Sequence, residues 1–176
     1  MVRNLCTAVP VAIVFMALWL SIATGMAAKE DTVIFLVRHA EKTDESQDPE
    51  LSETGRHRSR ELAELLRDAG IQHIHSTDFI RSRDTAAPLA ELLGLEVELY
   101  DWNDPAAFAR SLVNQGQRHL VVGHSNTTTE LVTLLGGDPG MEIEHSGEYD
   151  RLYVLTIDSS GSATVVLIRY GKPFTQ

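Results

Sequence analysis

The stretch Val33-Ile34-Phe35-Leu36-Val37 constrains this chain more than any other: five apolar residues run without a break and stop at Arg38-His39. Runs of this kind form strands buried on both faces, which occur in parallel sheets covered by helices. Such a strand delivers Arg38 and His39 to its C-terminal end, the edge where open α/β sheets place their chemistry. The pair suits phosphate. A guanidinium offers a planar fork to phosphate oxygens, and a neutral imidazole offers a lone pair to phosphorus.

The chain has 176 residues, 43% apolar and 23% charged, which is one domain's length with enough apolar material for a core. Its net charge of −10 argues against nucleic acid, whose backbone needs a basic face. Residues 1–28 differ in kind. Arg3 is the only charged side chain before Lys29, Leu5 to Ala23 is uncharged, and Gly25 and Ala27 stand three and one residues before a cut ahead of Ala28. This pattern predicts an export signal, with a periplasmic or extracellular mature chain; the alternative is an uncleaved membrane anchor, since an uncharged, mainly apolar run of 19 residues can span a bilayer. The single cysteine, Cys6, lies in that segment, leaving residues 29–176 without disulfide or cysteine chemistry.

Past the first strand, residues 41–50 read as a polar loop. Ser52 is placed to cap a helix that carries Leu62, Leu65, Leu66 and Ala69 at helical spacing and closes at Gly70. Arg56, His57, Arg58 and Arg60 on its first turns are expected to form mainly a solvated face. A second strand, Ile71 to Ser76, carries His73 and His75 on one face, structural histidines in the absence of a third ligand at metal-site spacing. A helix through Arg81 to Leu93 follows, with Pro88 expected to bend it near Asp84. Next come an edge-like strand from Glu96 to Tyr100, a helix capped by Asp104 with Pro105 in its first turn, and a strand from His119 to Gly123 that ends in His124-Ser125. A helix from Thr127 to Leu135 and a loop over 138–148 precede strands Tyr149 to Ile157 and Ala163 to Tyr170, an antiparallel hairpin turning at residues 158–162. The fold class is α/β: a three-layer sandwich, its central sheet mostly parallel, with helices on both faces and a C-terminal hairpin.

In a parallel sheet, Arg38, His39, Arg81 and His124 share one edge, and helices starting near Arg81 and after His124 can aim backbone N–H groups at the same place. On these residues the chain resembles the histidine phosphatase superfamily, also called phosphoglycerate-mutase-like, in its smaller bacterial form. The matching stretches are Leu36-Val37-Arg38-His39-Ala40-Glu41, with Ala40 where the family has glycine, then Leu51-Ser52-x-x-Gly55, Thr77 to Ala86, and Val122-Gly123-His124-Ser125.

The resemblance implies that His39 takes the phosphoryl group, that Arg38, Arg81 and His124 hold its oxygens, and that no cofactor or metal is required. It also implies substrate contacts from Glu41 and Ser125. Many relatives use as general acid a Glu after the third strand, in a motif this chain lacks. Asp101, Asp104 and Glu41 are the candidates for that role. Only 43 positions separate Arg81 from His124, too few for the lid segments of a mutase, so the resemblance points to a phosphatase acting on a small phosphorylated substrate. Two alternatives stand beside it: a phosphohistidine phosphatase, and a phosphate-binding pseudoenzyme. Exported relatives suggest an envelope sugar phosphate.

Overall fold

The computed structural model describes residues 30–175, so both readings of residues 1–28 fall outside the described residues. Among the described residues there are ten elements, strands and helices alternating until two strands close the series: β1 (Thr32–Arg38), α1 (Glu53–Leu66), β2 (His73–Ser76), α2 (Ile80–Leu93), β3 (Val97–Leu99), α3 (Pro105–Gln115), β4 (Arg118–Gly123), α4 (Ser125–Leu134), β5 (Arg151–Ile157) and β6 (Ala163–Arg169). They form one six-stranded sheet in the order β3-β2-β4-β1-β5-β6. The first four strands run parallel, while β5 is antiparallel to both β1 and β6. This is the expected α/β architecture.

Alternation along β1 splits its apolar run between two cores. Phe35 and Val37 pack with Leu62 and Leu66 of α1 and Leu89 of α2, and Ile34 and Leu36 pack on the other face with Leu112 of α3 and Leu131 of α4. Three layers result, with helices on both faces. The burial explains why the sequence of β1 shows no polar alternation. The edge strand β3, by contrast, is partly exposed and only three residues long.

Helix ends follow their capping chemistry. Ser52 Oγ accepts the Gly55 N–H at 3.1 Å, and Asp104 Oδ1 accepts the Ala107 N–H at 3.0 Å. Strands β2 and β5 start two residues later than the sequence reading, at His73 and Arg151, and two helix boundaries also differ from it. Helix α1 stops at Leu66, because the Ala69 N–H takes the Leu66 carbonyl and turns the chain before Gly70. Helix α4 starts at Ser125, two residues early, because Thr127 Oγ1 accepts the His124 N–H at 2.9 Å. A further difference concerns Arg58, expected on a solvated face but only 3% exposed. It lies one turn before Leu62 on the inner side of α1, and its charge is met by Glu41 and by the carbonyls of Tyr170 and Lys172.

Candidate active site

Register brings the motifs together. Arg38 of β1 pairs with Gly123 of β4, so the next residues, His39 and His124, leave the sheet side by side. Their ring centroids are 5.4 Å apart. Ser76 of β2 pairs with Val122, and Thr77 beyond it places its hydroxyl 3.1 Å from His124 Nε2. The signature loop is tied to α2 by one side chain: the Ala40 N–H donates to Thr85 Oγ1 at 2.9 Å, and the Thr85 hydroxyl donates to the Arg81 carbonyl at 2.7 Å.

His39 is 4% exposed, and its backbone N–H donates to the Gly123 carbonyl at 2.9 Å. Nδ1 lies 2.7 Å from the Ala40 carbonyl oxygen. A carbonyl can only accept, so Nδ1 carries the proton and Nε2 keeps its lone pair. Burial pushes the imidazole pKa down to about 2, with Arg38, His124 and Arg81 adding to the fall and the Ala40 carbonyl opposing it. His124 is likewise lowered to about 4, by burial first and then by Arg81 and Arg38. Both rings are neutral at ordinary pH.

These two histidines line a cavity of about 240 Å³ together with Lys42, Phe79, Arg81 and Trp102. The start of α4 (Ser125, Asn126, Thr127) and His145 complete the lining. Arg81 lies over the Phe79 ring at 4.4 Å, with Nη1 3.6 Å from Asp48. Arg38 sits differently from the sequence expectation. It is 2% exposed and does not line this cavity; Nη1 donates to the carbonyls of Glu144 and Glu148, Nη2 donates to that of His145, and the guanidinium stacks on Tyr149. The Nε groups of Arg38 and Arg81 are buried without a partner among the described residues. Unpaired buried donors are rare enough to mark a place that expects an acceptor.

Ser125 lies in the lining as expected, its hydroxyl 3.0 Å from His145 Nδ1. Three carboxylates do not. Glu41 is held bidentately by Arg58, with contacts of 2.8 to 3.0 Å. Asp101 accepts from Asn103, and Asp104 is spent on the α3 cap. The N-terminus of α2 is also partly used, since its Ile80 N–H donates to Asp48 Oδ1 at 2.9 Å. The histidines of β2 join a separate cluster: His73, His75 and His119 stack with neighbouring centroids 5.2 to 6.2 Å apart. No group of three His, Cys, Asp or Glu among the described residues is placed to hold a metal ion.

His145 and Tyr149 were not singled out from sequence. The signal was topological. Strand β5 runs antiparallel to β1 with Leu152 opposite Val37, so whatever precedes β5 must lie at the C-terminal end of β1.

Fold and pocket together define a class: three-layer α/β domains that present two neutral histidines and an arginine at the open edge of a parallel sheet. The model of the histidine phosphatase superfamily (branch 1) matches residues 34–102. Over that stretch the chain is similar to the superfamily. A probable phosphoglycerate mutase, GpmB, of Photorhabdus laumondii is 34% identical over 73 residues, which are 38% of this chain and 34% of that protein. The match thus spans about a third of the curated relative. Among solved structures, the protein histidine phosphatase SixA in complex with tungstate aligns with a TM-score of 0.63 at 22% identity, over 78% of this chain and 96% of that one. A mycobacterial glucosyl-3-phosphoglycerate phosphatase aligns at 0.59 and 19%, over 80% and 99%. An α-ribazole-5'-phosphate phosphatase from Escherichia coli, itself a provisional assignment, gives 0.65 at 14%, over 82% and 99%. These likenesses are of fold.

Proposed function

We propose that this chain hydrolyses a phosphomonoester through a phosphohistidine on His39. The observation that carries the reading is the fixed tautomer of His39: Nδ1 is bound to the Ala40 carbonyl, burial keeps the ring neutral, and Nε2 is left as the nucleophile. Nε2 attacks phosphorus as the P–O ester bond breaks, and the bond's electron pair leaves with the ester oxygen, which takes a proton. Water then attacks phosphorus, and the pair of the N–P bond returns to Nε2. Phosphoryl transfer spreads charge over the equatorial oxygens, so fixed donors do most of the catalytic work. Arg81 and the first backbone N–H groups of α4 are the donors grouped around this cavity.

The substrate class proposed is a sugar phosphate of the cell envelope. A second cavity of about 470 Å³ adjoins the first through Ser125, Asn126 and His145, and its wall carries Thr129, Glu130 and Thr133, side chains suited to sugar hydroxyls. A neighbour of the same fold is a glucosyl-3-phosphoglycerate phosphatase. The proposed location outside the cytoplasm is supported by the uncharged run from Leu5 to Ala23 and the small residues after it. One observation favours a phosphohistidine phosphatase as second reading: among the described residues, no carboxylate lines the pocket to protonate an alkoxide.

Screening the protein against phosphorylated metabolites, envelope glycolipids and a phosphohistidine peptide separates these readings. Wild type should turn over a phosphomonoester without loss in excess EDTA, and should trap labelled phosphate on His39, while His39→Ala should be inactive. Turnover surviving in His39→Ala removes the nucleophile assignment. Phosphate binding without turnover of any substrate identifies a pseudoenzyme.

A further inference from the structure

We infer that His145 is the general acid of the first chemical step and the base of the second, held in place by Ser125 and Arg38. The inference rests on the phosphatase reading above. It starts from a gap in the site: Glu41, Asp101 and Asp104 are bonded elsewhere, and among the described residues the pocket lining contains no Asp or Glu. Of the lining groups that could supply a proton, the Lys42 ammonium is paired with Glu45, and His124 is kept neutral by burial and anchored to Thr77. His145 is left. Imidazole is the side chain best suited to give and then take a proton near neutral pH.

Its position fits the task. His145 lines both the small cavity that holds His39 and the larger groove beside it, so it stands at the boundary that an ester oxygen crosses. Nδ1 faces Ser125 Oγ at 3.0 Å. That contact orients the ring and leaves Nε2 as the nitrogen free to reach a substrate. The loop that carries it is braced. Arg38 grips the carbonyls of Glu144, His145 and Glu148, the Glu144 carboxylate accepts the Ser146 N–H and hydroxyl, and the Glu148 carboxylate is held by Arg151. Arg38 therefore acts on the reaction partly as a positioning residue, through the backbone of residue 145.

The protons balance as follows. His145 enters as the imidazolium, with Nδ1–H donating to Ser125 Oγ. Its Nε2 proton passes to the bridging oxygen as the P–O bond breaks and the bond to His39 forms, and the alcohol departs. Neutral His145 then takes a proton from water as the water oxygen bonds to phosphorus and the bond to His39 breaks.

A general acid matters only when the leaving group needs a proton, so two substrates test the assignment: 4-nitrophenyl phosphate, whose phenolate leaves unaided, and 2-phosphoglycerol, whose alkoxide does not. His145→Gln should lower kcat on 2-phosphoglycerol about 100-fold while leaving the rate of His39 phosphorylation by the aryl ester within about threefold. Ser125→Ala should show the same selectivity at smaller amplitude. The Arg38 bond is to the backbone carbonyl of residue 145 and survives the substitution. Equal losses on both substrates, or no loss on either, overturn the role of His145 and leave the phosphatase reading intact. Wild-type protein that turns over neither ester, nor any phosphomonoester of the screen, overturns both.

Discussion

Gly55 of α1 lies so close to the carbonyl of Glu41 that a β-carbon at residue 55 would stand 2.1 Å from the Glu41 oxygen. The same oxygen accepts the Ser52 N–H at 2.9 Å and the Ser52 hydroxyl at 3.3 Å. The Leu-Ser-x-x-Gly stretch is thus a docking device: it seats the N-terminus of α1 on the loop that carries His39, and only glycine leaves room for the contact.

Gly55→Ala should therefore destabilise the protein by about 2 kcal/mol, the order expected when extra volume is forced into a packed site whose neighbour is backbone. Ser52→Ala, which removes the cap alone, should cost about 1 kcal/mol. Urea unfolding measures both. The glycine variant should also lose activity, because the displaced carbonyl is two residues from His39. A cost below that of Ser52→Ala would mean that the loop gives way freely.

Arg58 and Glu41 form a pair whose removal from one side should be expensive. Arg58 donates from Nε and Nη2 to Glu41 and from Nη1 and Nη2 to the carbonyls of Tyr170 and Lys172, so it fastens the signature loop to the segment after β6. Arg58→Ala strands the Glu41 carboxylate and should cost about 3 to 5 kcal/mol, whereas Arg58→Met combined with Glu41→Leu should recover most of that loss. A double-mutant cycle by equilibrium unfolding checks this, and additive costs would show that the two side chains act independently.

The fold was legible because each strong signal was local. The apolar run at Val33 to Val37, the caps at Ser52 and Asp104 and the turn at residues 158–162 each specify backbone without reference to distant residues. The pocket was legible where a side chain follows a strand directly, as with His39, or opens the helix after one, as with Arg81. Three features were not. The inward face of Arg58 depends on a partner 17 positions away, the turning of Arg38 toward the 144–148 carbonyls depends on a loop more than 100 positions away, and His145 sits in a stretch without periodicity. Long-range polar partners leave no local pattern, so only the sheet topology could reveal them. The same holds for the carboxylates. Asp104 was placed correctly as a cap, but nothing in the sequence set Glu41 against Arg58.

The stacked histidines of β2 and β4 predict how stability depends on pH. His119 Nε2 lies 2.5 Å from the Gly116 carbonyl, so its proton sits there and Nδ1 accepts the His75 Nε2–H at 3.1 Å. The groups facing this pair are His73 on β2, Glu98 on β3 and Phe108 on α3, and His73 is itself bonded to Glu98, Gln115 and Gln117. Burial, then the neighbouring His119 and His73, lower the His75 pKa from 6.5 to about 4 against the opposing pull of Glu98, and burial lowers His119 as well. Below pH 6.5 the unfolded chain takes up protons that the native rings refuse. The His75 contribution is therefore complete above pH 6.5, falls away as pH drops toward 4, and levels off below that, a loss of about 3 kcal/mol. His39 and His124 act with the same sign. Urea unfolding at pH 7.5 and 4.5 should show wild type losing several kcal/mol between the two, and His75→Gln, though less stable at pH 7.5, losing about 2.5 kcal/mol less. Equal falls in the two proteins would place the acid sensitivity outside this cluster.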